Sequence, residues 1–179
     1  MKPGPMNLRP KNSRVLMLTV AAACGLGLGV GTARADISDT DKAFLDAMAS
    51  SDMAEVELSR VAMSQALSPQ VHDFAQTIAS DHTENYQALL GLCRDKKYAI
   101  APRLDATHAE VMRKLHSADS PEAAERAYLD AIAADQAIID SLLEKIAGNS
   151  NDADISRFAA DTLTAVKDHE DSARQLASK

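Results

Sequence analysis

His82 is the residue whose position demands most of the fold. Read from Val71 to Leu92 at about 100° per residue, the chain puts Val71, Phe74, Ile78, Leu89 and Leu92 on one helical stripe, and His82 and Asn85 fall inside it. An amphipathic helix ordinarily keeps ionisable groups off its apolar face, so a histidine there needs a partner. The other long helical segments, placed on the same wheel, each carry one comparable intruder: Glu55, Asp135 and His169. Glu57, His72, Asp81 and Asp168 fall off the stripes and read as solvated or rim residues.

Two carboxylates and two imidazoles are a chemically matched set, and they support two chemistries. One is a mononuclear metal site with Glu55, His82, Asp135 and His169 as ligands, a donor set that suits iron, zinc or manganese. The other is a buried structural network, a Glu–His pair and an Asp–His–Tyr group with Tyr128, which satisfies the polar groups without any ligand. The second is preferred because it requires nothing from outside the chain. At roughly 1.5 Å per residue, Glu55 and His82 sit level, each about 20 Å from the turn that joins their helices. Asp135 and His169 are offset by about 7 Å on the same arithmetic, with Thr162 nearer the level of Asp135. A compact four-ligand site therefore needs sliding or tilt.

Other chemistry is sparse. Carboxylate-bridged di-iron bundles carry Glu-x-x-His on two helices, but Ala79 and Val166 stand three residues before His82 and His169. There is no Gly-x-Ser-x-Gly elbow and no phosphate-cradling glycine loop, and no residue is assigned a catalytic role. His108 and His116, eight residues apart, read as exposed residues of a connection, with a surface metal pair as the lesser alternative. Cys93 reads as a small buried hydrophobe, and Met48, Met53, Met63 and Met112 as core or rim filler, not a copper-binding run.

The elements that must position these residues are all helical, since no segment sustains a two-residue alternation. The periodicity predicts long helices over 38–67, 69–98, 121–147 and 152–177, with a short one over 105–116. Ser68-Pro69 and Ser120-Pro121 supply cap-and-proline starts, and Gly148 a C-terminal stop. The third long helix is read with Tyr128, Ala131, Ile132, Ile138, Ile139, Leu142 and Ile146 on its apolar face. The order is hairpin, connection with a short helix, hairpin. That is the connectivity of an all-α, ferritin-like four-helix bundle. A faint echo links the hairpins: Phe74-Ala75 precedes Asp81-His82, and Phe158-Ala159 precedes Asp168-His169.

Residues 1–35 read as a secretory signal peptide cleaved after Ala35. Lys2, Arg9, Lys11 and Arg14 precede an uncharged run from Val15 to Val30 that ends in Ala33-Arg34-Ala35. A lipoprotein anchored at Cys24 is the alternative. Residues 36–179 then form one domain in the periplasm or outside the cell, with no transmembrane segment after cleavage. Five of the 19 basic residues and none of the 26 acidic ones lie in the leader. So acidic a remainder repels phosphate backbones and anionic lipid, which argues against nucleic acid as a partner. Once the leader is removed Cys93 is alone, so no intramolecular disulfide can form.

Ala54-Glu-Val-Glu-Leu58, Phe74-Ala75 with Asp81-His82, Ala127-Tyr128-Leu129 and His169 with Ala173 and Leu176 resemble the bacterial exported domain-of-unknown-function family numbered four-one-four-two. The resemblance runs from about Asp41 to Leu176. It implies an exported ferritin-like bundle and no established reaction. The family pattern usually has a histidine where this chain has Asp135, while Glu55, His82 and His169 match it. The expectation is a bundle with a binding role in envelope or stress physiology, a homodimer or an envelope protein being the open partners. A metal-dependent oxidoreductase is the rival.

Overall fold

The computed structural model describes residues 37–65, 67–100 and 106–179. The leader reading, the cleavage after Ala35 and the Cys24 alternative lie outside the described residues. Five helices follow in order: α1 Asp39–Met63, α2 Pro69–Asp95, α3 Ala106–His116, α4 Pro121–Asn149 and α5 Ala153–Ala177.

Local chemistry accounts for the ends. Ser38 accepts from the Asp41 amide at 3.1 Å, Ser120 from Ala123 at 3.2 Å, and Asp152 from Asp154 at 3.0 Å. Each of these bonds satisfies an amide with no partner inside its helix. Pro69 and Pro121 occupy first helical positions, as their spacing predicts. At the end of α2, Lys97 takes the left-handed conformation with φ 56°. The Tyr98 amide reaches back to the Cys93 carbonyl at 2.9 Å, closing a Schellman cap. Lys96 next to it pairs with Asp152 and Asp154, tying this end to the start of α5. Gly148 does not stop α4, which runs on through Asn149 and is capped by Ser150 in extended conformation.

Two apolar clusters show how the helices run. One gathers Phe44, Leu45, Met48, Leu89, Cys93, Leu143, Ile146 and Ile155; the other gathers Leu58, Phe74, Ile78, Leu115, Tyr128, Leu129, Ile132 and Ala173. Chain direction carries α1 and α5 from the first cluster to the second, and α2 and α4 from the second to the first. The hairpins α1–α2 and α4–α5 are therefore antiparallel, and their internal packing is the heaviest in the molecule. Because α2 and α4 run the same way, the chain between them must travel back along the bundle. In that connection α3 packs on α1 and α4. This is the two-hairpin bundle with one crossover that the periodicity predicts.

One face differs from the sequence reading. Ile138 is 66% exposed, whereas Leu143 is completely buried. Over a long helix the stripe drifts, because 3.6 residues per turn does not divide the seven-residue repeat. We expect Leu143→Ala to lower the unfolding free energy in urea by about 2–5 kcal/mol, and Ile138→Ala to change it by less than about 0.5 kcal/mol. Equal costs at the two positions would contradict the placement of α4.

Candidate functional site

Between the two apolar clusters lies a polar layer to which all five helices contribute. α1 supplies Ser51, Asp52 and Glu55; α2 supplies His82 and Asn85; α4 supplies Asp135 and Gln136; α5 supplies Thr162 and His169. From α3, His108 closes the layer. Ser51, Asp52, Glu55, His82, His108, Gln136 and His169 are buried.

His82 is its centre. Nδ1 lies 2.8 Å from Asp52 Oδ1, and Nε2 lies 3.0 Å from Glu55 Oε2. Gln136 Nε2 donates to Glu55 Oε2 at 2.7 Å and is also within hydrogen-bond distance of His82 Nε2, at 2.9 Å. Asn85 donates to both oxygens of Asp52, at 3.1 and 2.9 Å, and accepts from Thr162 Oγ1 at 3.2 Å. On the far side of Glu55, Asp135 accepts from Ser51 Oγ at 2.5 Å, with His108 Nε2 at 3.2 Å.

Of the four sequence-predicted residues, Glu55 and His82 are in direct contact, at the common level that the helix arithmetic predicts. Asp135 stands near enough to Glu55 for its charge to raise the Glu55 pKa, and it bonds Ser51 and His108. His169 comes close without bonding: its ring centroid is 5.5 Å from that of His82, tilted by 39°. Its Nε2 instead lies 3.0 Å from Asp81 Oδ2 on the half-exposed rim, and its Nδ1 is buried with no hydrogen-bond partner. The expected Asp–His–Tyr group does not form, because Tyr128 sits in the second apolar cluster and bonds Ser59 at 2.7 Å. His108, read from sequence as exposed, is buried against Asp135.

Asp52, Ser51 and Gln136 were not singled out from sequence. Asp52 precedes Glu55 by three residues and so shares its face. Gln136 follows Ile132 by four and lies in the α4 stripe. Both were legible to a search for any polar group on an apolar stripe, but not to one restricted to a single ionisable group per helix.

Beside His169, α2 and α5 part to leave a solvent-facing cleft of about 480 Å³. Its walls carry Asp81, Glu84 and Asp161 around an apolar floor that includes Phe158 and Val166.

Residues 30–176 match the family described as Domain of unknown function (DUF4142). The chain belongs to that family. No curated protein matches it. Among solved structures it is similar to the crystal structure of a DUF305 fragment from Deinococcus radiodurans, with a TM-score of 0.69 at 11% identity. The likeness covers 79% of this chain and 97% of the other. At that identity it speaks for the helical fold alone. In this DUF4142 chain, no three His, Cys, Asp or Glu side chains among the described residues stand in a geometry that would hold a metal ion.

The protonation states follow from the contacts. Burial opposes a charge on His82, but the carboxylates of Glu55 and Asp52 outweigh it and lift the imidazolium to about 10. Burial raises Glu55 to about 7, and Asp135 adds to the rise through its charge and a hydrogen bond, against the pull of His82. Burial also works against the Asp135 anion, yet donors from His108, Glu55 and Ser51 hold it below the usual carboxylate range. Glu55 Oε1 receives no donor from the chain. Glu55 Oε2 accepts from Gln136 and lies 3.0 Å from His82 Nε2. Burial and then the charge on His82 lower His169, with Asp81 pulling the other way, so a neutral ring lies beside a charged one.

The pH consequence has a definite sign. A histidine whose pKa rises on folding contributes stability that is fully present below its unfolded value near 6.5 and is lost as pH climbs through about 10. Glu55, also raised, loses its contribution earlier, between 4.5 and about 7. Urea unfolding should show a less stable protein at pH 9.5 than at pH 7. In NMR titration the His82 ring should stay protonated through neutrality while His169 titrates below the ordinary histidine range. A His82 midpoint near 6.5, or stability that rises over this interval, would contradict the assignment.

Proposed function

We propose that this protein is an exported ferritin-like bundle that works by binding, without catalysing a reaction, and that its Glu55–His82–Asp135 layer is structural. The observation that carries this reading is the engagement of both His82 ring nitrogens by carboxylates of its own chain. Those carboxylates favour the imidazolium form of His82, and an imidazolium has no lone pair for a metal ion and none for a general base. Asp52, Asn85, Thr162 and Gln136 complete its surroundings from four helices, so the layer specifies which faces meet. Buried polar groups used in this way set register at some cost in stability.

Export and a periplasmic location are supported by the order of basic, apolar and small-residue segments over residues 1–35. The surface supporting a binding role is the α2–α5 cleft, whose volume of about 480 Å³ falls in the range of small-molecule sites. One observation favours a second reading, a metal held by Glu55, His82, Asp135 and His169: the buried Nδ1 of His169 has a lone pair and receives no donor. That reading requires His82 to give up a proton and one carboxylate contact.

The two readings separate in protein purified without a histidine tag. We expect His82→Ala to lose about 3–5 kcal/mol, because Asp52 is left buried without its counter-charge, and metal content to be the same in parent and His169→Ala. His169 lies on the cleft wall, so this second variant stays interpretable if the first fails to fold. One equivalent of iron, zinc or manganese in the parent that disappears in His169→Ala would overturn the structural reading.

A further inference from the structure

Away from the polar layer, α1 and α3 leave between them a surface hollow of about 410 Å³, lined by Met53, Glu57, Val61, Met112 and His116. Sequence reading treats the methionines as core or rim filler, and that holds for Met48, buried in the first apolar cluster, and for Met63 and Met112, which pack partly buried on the second. Met53 is different. It is 41% exposed, one of two large hydrophobic side chains so placed among the described residues, and it packs no core.

The spacing gives the hollow its chemistry. Met112 and His116 are four residues apart on α3, so both side chains project over the same face, with Cβ atoms roughly 5–6 Å apart. Met53 faces them from α1. Glu57, one turn on from Met53, is paired with Arg60 and so lies beside the donors as an already neutralised neighbour. Two thioethers and one imidazole thus line one hollow. Methionine has three rotatable bonds and a polarisable sulfur, so a thioether can adapt its position to a soft ion.

We propose that Met53, Met112 and His116 form a binding site for a soft monovalent cation, Cu(I) or its redox-silent analogue Ag(I). Thioether and imidazole donors select such ions. Calcium, magnesium and manganese prefer oxygen, and structural zinc takes thiolates, imidazoles and carboxylates. Thioethers carry no proton to displace, and neutral donors suit an ion of single charge. The acidic surface of the chain raises the local concentration of any cation. The site shares no residue with the polar layer, so it stands whether that layer is structural or metal-bound.

The test is an Ag(I) titration of the purified full-length chain carrying Cys24→Ser and Cys93→Ala, so that neither thiol competes, followed by methionine methyl NMR. One equivalent should move the εCH3 signals of Met53 and Met112 and the ring signals of His116, and leave buried Met48 in place. Met53→Leu and Met112→Leu keep the apolar surface and should not change the melting temperature. Each should weaken Ag(I), and Cu(I) in competition with a chelator, by at least the roughly tenfold that loss of even an outer-shell partner costs a metal site. Affinities within twofold of the parent in both variants would overturn the proposal, as would methyl shifts confined to other methionines. Equal shifts with Zn(II) at higher affinity would overturn the soft-ion assignment. His82→Ala should leave the titration unchanged, which distinguishes failure here from failure of the structural reading.

Discussion

A buried charge must be paired within the chain, and the middle of this bundle is organised around that requirement. His82 lies at the centre of a helix face otherwise filled by apolar residues. Taking its imidazolium out of water would cost several kcal/mol even after relaxation. Asp52 and Glu55, one turn apart on the facing helix, offset that cost through its two nitrogens. Their own burial then has to be offset, by Asn85 on Asp52 and by Gln136 on Glu55. Each solution creates the next demand, until the layer reaches Ser51 and His108 on one side and Asp81 on the other.

This chain of demands explains the division of the apolar core. Leucine and isoleucine clusters on either side of the layer tolerate small slides of one helix on another, since apolar contacts are non-directional. Hydrogen bonds near 3 Å do not. A slide of one residue, about 1.5 Å along a helix, would separate His82 from Asp52 or Glu55 and leave a carboxylate buried alone. The layer therefore fixes the register of α1 on α2, and through Gln136 and Thr162 the register of α4 and α5 on both. The apolar clusters hold the helices together, and the polar layer decides where along their length they meet.

His169 sits where that rigid arrangement gives way to solvent. It stacks loosely beside His82, holds Asp81 at the rim, and faces the cleft between α2 and α5. Two imidazoles so near cannot easily both be charged, and burial together with the His82 proton keeps the second neutral. On the opposite flank, the α1–α3 hollow presents thioethers and an imidazole to solvent with no comparable network behind them. The molecule thus has an inflexible interior and two dissimilar surfaces, one acidic and one soft.

Much of the architecture was legible from the residues. Helical periodicity, the Ser-Pro starts and the length of the connection specify two antiparallel hairpins and a crossover, because those signals are local and each helix obeys them alone. The level pairing of Glu55 with His82 was legible for the same reason: both are counted from one short turn. What lay beyond the sequence were relations between helices not joined by a turn. The approach of α3 to α1 and α4 turns His108 inward and brings Met112 to Met53. The relative slide of the hairpins puts Asp135 on Glu55 and leaves Tyr128 with Ser59. Such relations depend on how whole faces pack, and no spacing along one helix encodes the slide of another against it. Sequence alone determined that a charge would be buried and on which helix; only the tertiary structure decided what would stand around it.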